Sequence, residues 1–174
     1  MPGTAPVREP VARWDDRLLR EIDTLLTEAE LRAVATAPLA AGAEDVIAEW
    51  VAEGRPLAVV TNNSPACVER LARRCLSALA QVPVVGRDPR HPERVKPDPW
   101  GIRQALAALG REAPAGVRSA VMVGDSLSDV SAARAAGCGF IGMGCTPAKR
   151  ARLEAVVGVG DVVPNFRRLR VRLA

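Results

Sequence analysis

The amino-acid sequence predicts an α/β fold with a doubly wound parallel sheet. Apolar runs of four to six residues, typical of buried strands, alternate along the chain with longer segments of helical periodicity. The clearest run, Ala120–Val123, stops at Gly124 and is followed by Asp125, Asp129 and an Ala-rich helical pattern that Gly137 closes. Ligands bind at the carboxyl edge of such sheets, so this edge is the candidate site.

Composition places the chain among ordinary globular proteins of one domain. It has 174 residues, of which 48% are hydrophobic and 25% are charged. No apolar run approaches the ~20 residues of a membrane span, and no basic-then-apolar signal pattern opens the chain. We therefore expect a cytoplasmic protein without a membrane partner. The four cysteines lack metal-ligand spacing and are expected to be small buried hydrophobes: Cys67, Cys75, Cys138 and Cys145.

The net charge of +4 comes mostly from arginine, and seven basic residues lie between Lys149 and Arg172. Aromatic residues barely interleave them, and the chain has no tyrosine. This pattern favours a solvated helical face over a nucleic-acid interface, so we expect no nucleic-acid partner.

The N-terminal fifth of the chain is predicted to be helical after a proline-rich lead-in at residues 1–10. From Val11 to Leu26, apolar residues recur at helical spacings: Trp14, Leu18, Leu19, Ile22, Leu25 and Leu26. Thr27 with Glu30 resembles a helix cap and predicts a second short helix through Val34. Three acids on the polar side are predicted to be solvated: Asp15, Asp16 and Asp23.

The remaining chain is predicted to contain four principal parallel strands and the helices between them. The strands are Leu57–Thr61, Val82–Gly86, Ala120–Val123 and Gly139–Met143. The helices are expected at Gly42–Glu53, from Pro65 to Leu79, at Gly101–Leu109 and from Pro147 onwards. Pro83 lacks an N–H donor, which favours an edge position for the second strand.

Polar residues stand at the ends of these strands or just before helices. Thr61 and Asn62 offer a hydroxyl and backbone N–H groups for phosphoryl oxygens, and Lys96 would neutralise their charge. Asp125 and Asp129 offer the oxygen ligands that Mg²⁺ prefers. We expect these side chains to converge at one edge of the sheet, with Lys96 facing the acids.

Each of these residues also has a simpler explanation. Thr61 could simply end a strand or cap a helix, without a role in binding. Lys96 could be a surface lysine in an exposed loop. Asp125 suits a turn, with Ser126 or Ser128 capping the helix and an acid on its first turn. The order and spacing of the whole set favour a phosphate and metal site.

From about Pro38 to Phe140 the sequence resembles the haloacid dehalogenase-like (HAD) hydrolases, mostly Mg²⁺-dependent phosphatases. Leu57–Asn63 resembles their second motif, Lys96–Pro99 their third, and Gly124–Asp129 their fourth. The resemblance implies a HAD-like Rossmannoid core at residues 37–174 and a remnant of a helical cap at residues 1–36. It also implies a small phosphorylated substrate, which the sequence does not identify further.

The same resemblance implies a role for each matching residue. Lys96 would contact the phosphoryl group as a catalytic residue, and Thr61 and Asn62 would help to bind it. Asp125 would bind Mg²⁺, with Asp129 completing or supporting the metal site. Two carboxylates are few for an ion that takes about six oxygens, so we expect weak Mg²⁺ binding.

The first family motif has no counterpart in this sequence. That motif is a strand followed by Asp-x-Asp, whose first Asp attacks phosphorus, and no Asp-x-Asp occurs here. The nearest acidic pair, Asp15–Asp16, lies in a helical pattern. Three hypotheses follow: a phosphatase truncated by a start codon placed too late and so inactive, a non-catalytic HAD-like module that binds phosphate compounds or a partner protein, or a site completed by another polypeptide.

In the HAD-like sheet the missing strand would lie between the strands at Leu57 and Val121. Its absence would leave two apolar edges with unpaired N–H and C=O groups. We expect these edges to close on each other, to be filled by the segment Thr4–Val11, or to be paired by another chain, including a second copy. Pro6 and Pro10 make that segment a poor strand.

Overall fold

The structure, a computed structural model, describes residues 15–173. The α/β fold with parallel strands is confirmed. The helices are α1 Asp16–Thr36, α2 Ala43–Ala52, α3 Pro65–Cys75, α4 Trp100–Ala108, α5 Pro114–Ser119, α6 Leu127–Ala136, α7 Pro147–Val157 and α8 Phe166–Arg172. The strands are β1 Val59–Val60, β2 Val84–Val85, β3 Val121–Gly124, β4 Gly139–Met143 and β5 Val162–Val163.

The strands form two parallel sheets rather than one. β1 pairs with β2, and β3, β4 and β5 pair in that order. The first and third predicted strands are therefore separated, as one of the expected arrangements had it. β4 has the predicted bounds, whereas β1 and β2 are each only two residues long. The helix after β1 ends at Cys75, and a 3₁₀ turn at Ser77–Gln81 follows it.

Helices cover both faces of the larger sheet, which explains why its strands are apolar throughout. On one face, Ile102 and Leu106 of α4 pack with Ala132 and Ala133 of α6. On the other face, the core is formed by α2, β4 and α8: Val46, Trp50, Ile141, Met143 and Leu169. This packing holds the carboxyl end of β3 in a fixed place, where the candidate acids begin.

The N-terminal region is one continuous helix, so the predicted break at Thr27 is wrong. Asp15 caps α1 by accepting a hydrogen bond from the Arg17 amide at 2.9 Å. The Thr27 hydroxyl accepts a hydrogen bond from Arg87 instead of capping a new helix. No residue of α1 is buried, and Leu25 of its apolar stripe is 66% exposed. Trp14 and the segment Thr4–Val11 lie outside the described residues.

Three smaller expectations also need correction. Asp23 is not freely solvated, because its carboxylate lies 2.8 Å from the Arg87 guanidinium. Cys145 is exposed, although Cys67 is buried as expected. α5 was not predicted, because its six residues are too few to display a helical period. Within residues 15–173, no helix has the length and apolar character needed to cross a membrane.

Candidate functional site

The loop that carries Lys96 is fastened to the end of β1 by a side-chain amide. Asn62 Oδ1 accepts a hydrogen bond from the Lys96 backbone amide at 2.9 Å, and Asn62 Nδ2 donates to the Lys96 carbonyl at 3.1 Å. The adjacent Thr61 hydroxyl accepts from the Asn63 amide at 3.1 Å. Asn62 therefore fixes the position from which the Lys96 side chain starts.

The Lys96 side chain points inward, as the sequence predicts, and only 13% of it is exposed. Its Nζ donates a hydrogen bond to the Val60 carbonyl at 3.2 Å and lies 2.7 Å from Asp129 Oδ1. The ammonium thus joins the carboxyl end of β1 to the first turn of α6. A cation held in this way, at the edge where strands end, is suited to a bound anion.

The acids are positioned by the turn between β3 and α6. Ser126 caps α6 in a capping box, with its hydroxyl accepting a hydrogen bond from the Asp129 amide. Asp129 Oδ2 accepts hydrogen bonds from the amides of Asp125 at 3.1 Å and Ser126 at 3.0 Å. A Cβ at Gly124 would lie 2.4 Å from the Asp129 Cβ, so this close turn requires glycine.

Asp129 is the most constrained acid of the site, with 4% of its surface exposed. Burial alone would raise the pKa of its carboxyl. The Lys96 ammonium and the Ser126 donors outweigh that effect and hold the pKa of Asp129 below its ordinary value. The carboxylate is therefore ionised and paired at neutral pH.

Asp125 offers the more accessible carboxylate, since 51% of its side chain is exposed. It forms an ion pair with Lys149 on α7, and the hydrogen bond from Lys149 raises the pKa of that lysine. In the described part of the chain, no group of three or more His, Cys, Asp or Glu side chains is placed to hold a metal ion. The donors fit a Mg²⁺ ion that keeps most of its waters, with Asp125 as its more accessible carboxylate.

Sequence reasoning missed a second polar cluster beside this site. The largely buried Arg87 guanidinium lies 2.5 Å from Glu30 Oε1 and 2.8 Å from Asp23 Oδ1, both on α1. Arg87 also donates to the Asn62 carbonyl at 3.2 Å. Burial alone would raise the pKa of Glu30, but Arg87 and the Ser64 amide hold it below its usual value. The sequence signal that could have revealed this cluster is the position of Arg87 just after the second predicted strand.

Comparison with known families identifies the family to which the chain belongs. The family model described as haloacid dehalogenase-like hydrolase matches residues 5–137, which is most of the chain. The chain belongs to the haloacid dehalogenase-like hydrolases. The matched region contains Lys96 and Asp129, whose side chains pair at the carboxyl end of β1.

Individual relatives support the same family. A phosphoglycolate phosphatase from Neisseria meningitidis is 39% identical over 90 residues, or 52% of this chain and 36% of that protein. The chain therefore spans about a third of the length of this relative.

Solved structures share the fold. A haloacid dehalogenase-like protein of unknown function from Agrobacterium tumefaciens has a TM-score of 0.68 and is 19% identical in sequence. The match covers 92% of this chain and 69% of the Agrobacterium chain. CbbY from Rhodobacter sphaeroides, solved in complex with phosphate, has a TM-score of 0.62 and 29% identity, covering 84% and 64%. Because the Agrobacterium protein is only 19% identical, its likeness shows the fold alone.

Proposed function

We propose that this chain forms the phosphate- and Mg²⁺-binding core of a HAD-type phosphatase that acts on a small phosphorylated molecule. The observation that carries this proposal is the inward-facing Lys96, whose ammonium lies between the Val60 carbonyl and Asp129 at the edge of the sheet. A largely desolvated cation at a strand end gives strong, oriented binding to a phosphoryl oxygen.

Each site residue has a proposed role in this reading. Lys96 binds the phosphoryl group as a catalytic residue, with Thr61 and Asn62 lining the same place. Asp125 provides the exposed carboxylate for Mg²⁺, which would neutralise phosphate charge when bound. Both Asp129 oxygens already contact protein groups, so its larger role is to position Lys96 and the turn that carries Asp125.

The attacking group is what this site lacks. The sequence contains no Asp-x-Asp, and the buried Asp129 is engaged with Lys96 and Ser126. A paired, buried carboxylate is a poor nucleophile because attack would break its ion pair and its hydrogen bonds. We therefore infer that residues 1–174 alone hydrolyse no phosphomonoester.

The substrate class rests on the relatives. The similar protein from Neisseria meningitidis is a phosphoglycolate phosphatase, and the CbbY structure contains phosphate. The first favours a small phosphorylated compound as the substrate, and the second supports a site that takes phosphate. The second candidate is a non-catalytic phosphate-binding or protein-interaction module, which the absent Asp-x-Asp favours.

Binding and turnover measurements test the proposal together. We expect inorganic phosphate to bind in calorimetry, and Lys96→Met to weaken it at least about tenfold. Arg118→Met, an exposed arginine on α5, is the matched control and should bind as the parent does. Mg²⁺ should bind in the millimolar range or more weakly, as expected for at most two carboxylates.

With Mg²⁺ and a chromogenic phosphate ester, the chain should show no turnover. Turnover that survives removal of contaminating phosphatases and is lost in Asp125→Ala would contradict the inference about the nucleophile. Phosphate binding that Lys96→Met leaves unchanged in a folded protein would overturn the assignment of the site. A circular dichroism spectrum of each variant shows whether it is folded.

A further inference from the structure

One guanidinium joins α1 to residues 62–64, the loop that follows β1. The side chain of Arg87 is only 10% exposed, and each of its three nitrogens has a hydrogen-bond partner. Nε donates to Asp23 and Nη2 donates to Thr27, both on α1. Nη1 donates to Glu30 on the same helix and to the Asn62 carbonyl on the loop. Arg87 therefore contacts the helix and the loop at once.

The backbone of this loop is held by Arg87 and by its partner Glu30. The Asn62 carbonyl accepts a hydrogen bond from the Arg87 guanidinium at 3.2 Å, and the Asn63 carbonyl accepts one from the Arg87 backbone amide at 3.0 Å. The Ser64 amide donates to Glu30 Oε2 at 2.9 Å. One buried ion pair thus fixes three successive residues of the loop.

The end of β2 packs closely against the same loop. A Cβ at Gly86 would lie 2.8 Å from the Asn63 carbonyl oxygen and 2.6 Å from Pro65 Cδ. A side chain at this position would push the loop away from β2. The close packing at Gly86 is therefore what brings Arg87 within reach of the loop.

The loop in turn carries the side chain that holds Lys96. Asn62 makes two hydrogen bonds to the Lys96 backbone, through Oδ1 at 2.9 Å and through Nδ2 at 3.1 Å. From that backbone the ammonium reaches the Val60 carbonyl and Asp129. The position of Lys96 therefore depends on Asn62, and the position of Asn62 depends on Arg87.

We propose that Arg87 is a positioning residue of the phosphate site, acting through Asn62 to hold Lys96 where it binds a phosphoryl oxygen; this role rests on the proposed function. The nitrogens of Arg87 are occupied by protein groups, so its guanidinium acts on the loop and not on the ligand. A lysine carries the same charge, but its donors share one nitrogen and cannot bridge the separate partners on the helix and the loop.

Calorimetry with inorganic phosphate tests this role on the full chain. Arg87→Met should raise the dissociation constant of phosphate at least about fivefold. Arg87→Lys should raise it at least about threefold, because the charge is kept and the bridging contacts are lost. Binding by folded Arg87→Lys that equals the parent would overturn the proposal, since charge alone would then explain the effect of Arg87→Met.

A double-mutant cycle tests whether Arg87 acts through Asn62. Asn62→Ala should weaken phosphate binding by itself, because it releases the Lys96 backbone. Adding Arg87→Met to Asn62→Ala should weaken binding less than about twofold further, since the two residues act in series. If the two effects multiply in full, Arg87 acts by another route and the proposal is wrong.

Two acids of α1 provide a matched pair of variants. Both pair with Arg87, and Glu30 also accepts a hydrogen bond from the Ser64 amide. Asp23 makes no hydrogen bond to the loop among the described residues. Glu30→Ala should therefore weaken phosphate binding at least about threefold, and Asp23→Ala less than about twofold. Equal effects would overturn the proposal, because docking of α1 would then control the site. Glu30→Ala also replaces Arg87→Met if that variant fails to fold.

The backbone amide of Lys96 gives a readout that needs no ligand. In ¹⁵N-labelled protein, its resonance and its hydrogen-exchange rate report the hydrogen bond to Asn62 Oδ1. Arg87→Met should shift the resonance and speed exchange at least about tenfold. Arg17→Met, which removes an exposed arginine from α1, should leave both unchanged. A Lys96 amide that is unaffected in folded Arg87→Met would refute the positioning role.

The outcomes separate this role from the proposed function. If the parent binds phosphate and Lys96→Met weakens that binding, but Arg87→Met does not, the proposed function stands and the role of Arg87 is refuted. If the parent binds no phosphate, the proposed function fails, and the Lys96 amide alone decides whether Arg87 positions Lys96.

Discussion

Lys96 Nζ lies 2.7 Å from Asp129 Oδ1 and donates to the Val60 carbonyl, so one ammonium connects the two sheets at their carboxyl ends. Beneath this connection the sheets are separated by a cavity. The pair therefore has two consequences, since it places a cation at the candidate phosphate site and holds together the strand ends that carry the site.

Asp129→Asn should destabilise the protein by about 3 kcal/mol, because it leaves a largely buried ammonium without its carboxylate. Asparagine keeps a side-chain oxygen for the capping box, so most of the loss should come from the ion pair. Urea unfolding followed by circular dichroism measures the change. Asp125→Asn, at a half-exposed position, should cost less than about 1 kcal/mol. Equal losses in the two variants would contradict the importance assigned to the pair.

The same pair predicts how stability depends on pH. The pKa of Asp129 is lower in the folded protein than in the unfolded chain, so the unfolded state takes up a proton first as pH falls. The contribution of Asp129 to the free energy of unfolding should be complete above the unfolded pKa of about 3.9. It should be lost as pH falls towards the lower pKa of the folded state. The parent and Asp129→Asn should therefore converge in unfolding free energy at low pH. Glu30→Gln should converge with the parent in the same way, because the pKa of Glu30 is also lowered.

An element of the fold could be predicted from the sequence when its own residues carry the signal. β4 was predicted with its observed bounds because Gly139–Met143 is an uninterrupted apolar run after a glycine. α1 was predicted as two helices because Thr27 and Glu30 have the spacing of a cap. In the structure both side chains contact Arg87, a partner nearly sixty residues away, which no local pattern displays.

For the candidate site, the order and spacing of the polar residues predicted that Lys96 would face the acids, and it does face Asp129. The spacing did not reveal that both Asp129 oxygens would be engaged, since that depends on the turn at Gly124. Nor did it reveal Lys149, which reaches Asp125 from a later helix. Contacts between elements that are distant in sequence account for each of these omissions.

Arg87→Met should release α1 from the sheet edge, because Arg87 is the cation that pairs with both Asp23 and Glu30. Leaving two partly buried carboxylates unpaired should cost about 3 kcal/mol and should increase hydrogen exchange across α1. Arg17→Met on the same helix removes only an exposed pair with Glu21 and should cost about 0.5 kcal/mol or less. Exchange in α1 that stays at the parental level in folded Arg87→Met would show that apolar contacts hold the helix instead.

Lys149→Gln should strengthen Mg²⁺ binding, because the Lys149 ammonium and the metal ion compete for the same Asp125 carboxylate. An exposed ion pair contributes up to about 1 kcal/mol, so the dissociation constant should fall by about fivefold or less. Calorimetric titration with MgCl₂ at constant ionic strength measures the change. Arg152→Gln removes an exposed charge from the same helix and corrects for the general effect of net charge. If both variants strengthen binding equally, long-range charge and not the contact with Asp125 is responsible. If Lys149→Gln alone strengthens binding, and Asp125→Asn abolishes the gain, Lys149 is an internal competitor of the metal at this site.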